Sequence, residues 1–187
     1  MAYLEDHKAK IQNLKIALLS ENQTQLSISA NGGRSVLFTY PPSEESLYLE
    51  KLKDELDSNE FTFINIADLL VSFINQDSWD DFKSYYLDFK DTPHLVFKSE
   101  DPSPDLMDLI ISEIKKVSEN NKIPFLIRTG VLYGTGIDSH NIMEHDLVKK
   151  LEKPLVIGYP SKYIKDTDTL LFLNFKLASN YRCIVIE

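Results

Sequence analysis

The stretch "IPFLIRTGVLYGTGIDSH" (Ile123–His140) runs from an uncharged apolar segment through three of the chain's six glycines into a helix-like pattern. The apolar run "IPFLI" leads a strand read over "PFLIRTG". Gly130, Gly134 and Gly136 let the chain turn sharply with positive φ. Ser139 is placed to cap a helix over "SHNIMEHDLVKKLEK", in which Met143, Leu147 and Leu151 align and which Pro154 ends. Strand, glycine loop, helix is the repeating unit of a parallel sheet. It is also the layout of a phosphate cradle, and the two readings have different consequences.

A nucleotide loop needs a lysine after its glycines and then a Ser or Thr for magnesium. The segment "GVLYGTGIDSH" contains no lysine. Gly134-Thr135-Gly136 begins a dinucleotide pattern, but Ser139 stands at its third glycine position. The strand ends in Arg128, where a nucleotide hydrolase carries an acid. The earlier strand "SVLFTY" runs into "PPSEES", whose prolines lack N–H donors and whose glutamates repel phosphate. ATP hydrolysis is therefore not expected. Arg128, Gly134, Gly136 and Ser139 remain the candidates for a weak anion site.

Outward from this stretch the chain alternates. An amphipathic helix over 1–20 carries Tyr3, His7, Ile11, Leu14 and Leu18 on one face. "ENQTQLSISANGGRS" reads as a loop. The strand "SVLFTY" is followed by a helix opened by Ser43 with Leu49, Leu52 and Leu56 aligned. "EFTFINIAD" is the second strand, and Asp68 is expected to cap a short helix after it. "SWDDFKSYYLDFK" has Phe82, Tyr85, Tyr86 and Phe89 at helical spacing. The helix "PDLMDLIISEIKKV" has Ser103 as its expected cap and Pro104 in its first turn. "PLVIGYP", "LLFLNFK" and "YRCIVIE" are the last strands, the final two expected to pair antiparallel across "LASN". This alternation predicts a single α/β domain over 1–187, with helices crossing a mainly parallel sheet.

Charge and composition narrow the function. The net charge is −9, and residues 41–120 hold 19 acidic against 7 basic side chains. Such a surface disfavours nucleic acid and suits a basic protein partner, although acidic helices also serve solubility. No apolar run is long enough to span a bilayer and "MAYLEDHKAK" lacks a signal core, so a cytoplasmic protein is expected. The single Cys183 lies in the apolar run "CIVI" with no histidine beside it in sequence, which argues against a catalytic thiol. His140 and His145 are five residues apart and fall on different helix faces, so no metal site is expected around Glu144. No catalytic set and no cofactor emerge. Trp79, Asp80, Asp81, Tyr85 and Tyr86 are the candidate partner-binding residues, with core packing expected to claim at least two of the three aromatics.

Several short segments, in order, resemble one family. Tyr40, Pro42 and Glu45 in "RSVLFTYPPSEE" come first, then Gly130 and His140 in "GVLYGTGIDSHNIMEHDL". Tyr159, Pro160 and Tyr163 follow in "KPLVIGYPSKY", and Asn180, Tyr181 and Arg182 in "NYRCIVIE". Together, over residues 34–187, they resemble the BrxB family of BREX bacteriophage-defence systems, with Ser161 standing where that family usually has Gly. The resemblance implies a core like that of a P-loop (RecA-like) nucleotide hydrolase without a functional nucleotide loop. It implies a small non-catalytic assembly or adaptor subunit of a multi-protein anti-phage system, binding a PglZ-like phosphatase-fold component. The alternative from the residues themselves is a degenerate nucleotide- or anion-sensing domain.

Overall fold

The computed structural model describes residues 2–19, 34–98, 104–167, 169–178 and 183–186. In chain order the elements are α1 (Ala2–Leu18), β1 (Ser35–Tyr40), α2 (Glu45–Glu55), β2 (Phe61–Asn65), α3 (Ile66–Ile74), α4 (Trp79–Asp88) and α5 (His94–Phe97). They continue with α6 (Leu106–Glu119), β3 (Ile123–Ile127), α7 (Ser139–Glu144), α8 (Asp146–Lys149), β4 (Leu155–Ile164), β5 (Thr169–Phe172), β6 (Lys176–Leu177) and β7 (Cys183–Ile186).

The main sheet has the order β2-β3-β4-β1-β7, and every neighbouring pair along it is parallel. Every residue of β1 and β3 is buried, as strands covered on both faces must be. Side chains alternate between two cores. Val36, Phe38 and Tyr40 face Ile11, Leu14 and Leu18 of α1 and Tyr48, Leu49 and Leu52 of α2. Leu37, Leu126 and Ile157 face the other side, against Ile66, Ile110, Ile114, Ile142 and Val148 from α3, α6, α7 and α8. The α/β class and the mainly parallel sheet between helices are thus as the alternation predicts.

Local details differ from the sequence reading. The last two strands do not pair with each other. β7 lies parallel to β1, with Ser35 opposite Cys183 and Phe38 opposite Ile186, and Thr39 Oγ1 donates to the Ile186 carbonyl at 2.9 Å. "LLFLNFK" instead folds back on itself as β5 and β6, turning at Leu173 (φ 51°) and Asn174 (φ 71°). β5 pairs antiparallel with the far end of β4. The turn was invisible because leucine rarely accepts left-handed backbone and no glycine marks it. The long helix predicted after the glycine loop is broken at His145, which is extended (ψ 136°) and caps α8 through Nδ1, accepting from the Leu147 N–H.

Caps moved as well. Asn65, not Asp68, caps α3 by accepting from the Ala67 N–H. Asp105 caps α6 in a reciprocal box with Asp108, which puts Pro104 before the helix. Ser43 lies in a 3-10 turn (Pro42–Glu44) that leads into α2 without a side-chain cap. Ser103, the Gly32-Gly33 loop, the Tyr3 side chain and the motif residues Asn180, Tyr181 and Arg182 lie outside the described residues.

Candidate functional site

In an open parallel sheet, ligands bind beyond the carboxyl ends of the strands, where the chain direction across the sheet reverses. Here the connection after β1 runs to β2 on one side, while the connection after β4 leads to β7 on the other. The switch point is therefore the crevice between the ends of β1 and β4, next to Arg128 at the end of β3.

That crevice is closed by the chain's own carboxylates. Pro41 and Pro42 turn β1 into the first turn of α2, where Glu45 accepts two hydrogen bonds. The Tyr40 hydroxyl donates to Oε1 at 3.0 Å and Arg128 Nη1 donates to Oε2 at 2.9 Å. Glu44 accepts from His7 Nε2 of α1 at 3.0 Å, and the His7 ring stands edge-on to Tyr48. The helix N-terminus that would attract a phosphate thus already has negative charge beside it. Tyr40 is buried, and its burial pushes the phenol well above its ordinary range. The Glu45 carboxylate adds to the rise, and the Arg128 guanidinium opposes it. It is a fixed neutral donor, not an acid or base for chemistry near neutral pH. Gly158 lies directly beneath. A Cβ there would sit 3.2 Å from the Tyr40 hydroxyl oxygen and 3.1 Å from the Leu126 carbonyl oxygen.

The glycine loop is tied to itself. Arg128 opens it in left-handed backbone (φ 60°), and Gly134 and Gly136 continue at φ 89° and 76°. The amides of Val131, Tyr133 and Thr135 donate to loop carbonyls. Those of Ile137, Asp138 and Asn141 donate to Thr135 Oγ1, Asn141 Oδ1 and Asp138 Oδ1. A phosphate cradle needs such amides free and convergent. Gly136 is also held by close approach, since a Cβ would fall 2.6 Å from His94 Cβ. Asp138 caps α7, so a carboxylate stands where an anion would be drawn. Ser139 is buried and lines a cavity of about 30 Å³ with Tyr133, Tyr159, Phe172 and Lys176. Of the four anion candidates, Gly134, Gly136 and Ser139 share this loop, while the Arg128 guanidinium is engaged with Glu45 on α2.

Other candidate chemistry is accounted for locally. Burial pushes the Cys183 thiol up to about 12, against a smaller opposing effect from a backbone hydrogen bond at Leu37, so the thiol stays protonated. Glu144 pairs with Lys149 at 2.9 Å. Among the described residues no three His, Cys, Asp or Glu side chains converge on a metal position. Among the same residues, no helix is long and apolar enough to cross a membrane.

The partner-binding candidates are all exposed. Trp79, Tyr85 and Tyr86 are 62%, 44% and 37% accessible, so the core does not claim two of the three. The helix-facing work on α4 is done by Phe82 and Phe89, which are half-buried. Phe82 packs on Phe73 of α3 and Phe97 of α5, leaving the tyrosines at the margin. Asp80 and Asp81 are exposed in the first turn, and Asp81 accepts from the Ser78 hydroxyl at 2.6 Å. The local sequence marks Tyr40 and Glu45 but not the bond between them, and nothing in it joins His7 to Glu44, 37 positions away. The available signal was an acid pair opening the helix that follows a Pro-Pro turn. Searches against protein-family models, curated proteins and solved structures give no match to this chain.

Proposed function

We propose that this chain is a non-catalytic docking subunit that binds a larger protein within an assembly. The observation that carries the reading is the exposure of Trp79, Tyr85 and Tyr86 on α4, where they flank the half-buried Phe82. Trp and Tyr are the residues that most often dominate binding energy at protein interfaces. The closed switch-point crevice agrees with it, because Glu45 fills the place a nucleotide would need. The order β7-β1-β4-β3-β2 supports the finer reading of a RecA-like core in which a Tyr40–Glu45–Arg128 cluster replaces the nucleotide loop. The resemblance to BrxB supplies the biological setting, an anti-phage assembly in the cytoplasm, and a PglZ-like phosphatase-fold protein as partner.

Affinity capture of the tagged chain from its native host, with mass spectrometry, tests this. Recovery of a large phosphatase-fold protein with other defence components is the expected result. Recovery of the chain alone, with a rise in melting temperature on adding nucleotide or phosphate, would replace it by the anion-sensing reading. That rival has the Ser139 cavity and the nearby Lys176 in its favour.

A further inference from the structure

Beyond the carboxyl ends of β3 and β4, the glycine loop and the β5–β6 hairpin enclose a cavity of about 30 Å³. Loop and hairpin meet closely. A Cβ on Gly130 would fall 3.2 Å from Leu173 Cδ2, and the Tyr133 and Phe175 rings stand edge-on with centroids 5.2 Å apart. Leu132, Ile137 and Phe172 make the walls apolar. Of the polar side chains that interrupt them, Thr129 donates to the Gly158 carbonyl at 2.5 Å, and the Asp138 carboxylate accepts from the Asn141 N–H at 2.9 Å as the cap of α7. Ser139 and Lys176 are not engaged in this way. Ser139 is 4% exposed, yet its hydroxyl has no hydrogen-bond partner among the described residues. A buried hydroxyl is ordinarily paired, because leaving it dry costs free energy. Lys176 stands exposed on β6 where the cavity opens, and it too has no partner among the described residues.

We infer that this cavity binds a short hydroxy- or oxo-carboxylate of about three or four carbons, with its carboxylate on Lys176 and its second oxygen on Ser139. Size sets the length of the ligand. A space of this volume holds roughly two waters, so the oxygen-bearing end of such an acid enters while its carboxylate stays at the mouth. A nucleotide is far too large. Polarity sets the two ends. The apolar walls favour a carbon chain, the unpaired hydroxyl calls for an oxygen at the buried end, and the lysine cation calls for an anion at the exposed end. A purely apolar guest would leave the Ser139 hydroxyl unsatisfied. Inorganic phosphate would press its charge against Leu132, Ile137 and Phe172. The cavity includes no residue of α4 or of the Tyr40–Glu45–Arg128 cluster, so this inference and the docking reading can each fail alone.

Methyl NMR of the isotope-labelled full chain, titrated with lactate and with pyruvate at constant ionic strength, tests it. Saturable shifts of the Leu132, Ile137 and Leu177 methyls are expected, with the α4 resonances unmoved. Propionate lacks the second oxygen and propylene glycol lacks the carboxylate, so each should bind more weakly. Ser139→Ala and Lys176→Met should each weaken binding by about threefold or more. Lys176 is exposed on the hairpin, so Lys176→Met keeps the test decisive if Ser139→Ala disturbs folding. Any of three results would overturn the inference. The first is no saturable shift with either acid. The second is binding of propionate, propylene glycol or inorganic phosphate as tight as that of lactate and pyruvate. The third is undiminished binding by Lys176→Met.

Discussion

Glu45 does at the residue scale what a bound anion does in a nucleotide site: it gathers donors from two strand ends. Tyr40 from β1 and Arg128 from the end of β3 meet on its two oxygens. Glu45→Ala leaves the buried Tyr40 hydroxyl without an acceptor, and an orphaned buried polar group costs about 1–3 kcal/mol. Tyr40→Phe removes the hydroxyl and keeps the Arg128–Glu45 pair, so its cost is expected to be smaller. Urea unfolding of the two variants checks the order, and an equal loss would mean that the Tyr40–Glu45 bond is not what matters. Arg128 itself adds little by its charge, since its side chain is 42% exposed and a solvated ion pair contributes modestly. These partners were not legible in the sequence. Residues 45 and 128 are 83 positions apart, and nothing in the local pattern of either reports the other.

At the scale of the element, α4 shows why an acidic helix start has two meanings. Asp80 and Asp81 both favour the helix dipole, but only Asp81 is part of the cap, with its N–H donating to Ser78 Oγ and its carboxylate accepting from the Ser78 hydroxyl. Asp81→Lys keeps the N–H bond to Ser78 Oγ but loses the carboxylate's contact with the Ser78 hydroxyl and opposes the dipole, and should cost about 0.5–1 kcal/mol. Asp88→Lys, in the last turn, places a cation where the dipole favours one and should leave melting unchanged or slightly raised. Thermal melts of the two single variants separate them, and equal melting would remove the capping role. The stripe of Phe82, Tyr85, Tyr86 and Phe89 was legible as a helix from its spacing. Which of the four would be covered was not, because that depends on where Phe73 and Phe97 stand across the contact.

At the scale of the molecule, burial keeps two acids among the described residues neutral, the half-buried Cys183 in β7 and the buried Tyr40 in the crevice. In the unfolded chain a thiol loses its proton near its ordinary 9.0, while folding pushes Cys183 up to about 12. Above about pH 9 the unfolded state therefore binds fewer protons than the native state, and stability must fall as pH rises. Tyr40 acts in the same direction at still higher pH. Urea midpoints measured from neutral pH into the alkaline range should decline from about pH 9 upward, and less steeply in Cys183→Ala. A flat profile, or the same slope in the variant, would mean that β7 does not hold the thiol out of water. The thiol is sheltered because β7 joins β1 in parallel register, an arrangement the final strands did not announce.

Read alone, the amino-acid sequence determined the layering of this protein. Short uncharged runs such as "SVLFTY" and "IPFLI", bounded by turn residues and too short for helices, read as strands covered on both faces, and the intervening 3.6-residue stripes supply the helices that cover them. It also determined that the glycine loop lacks the lysine a nucleotide site requires. Only the tertiary structure decided that β7 lies beside β1, that "LLFLNFK" bends at two non-glycine residues, that Glu45 closes the switch-point crevice, and that the α4 aromatics face solvent. The reason is one of range. Layering follows from periodic burial within each segment, whereas strand neighbours, polar partners and surface exposure follow from contacts between segments whose separation along the chain carries no local signal.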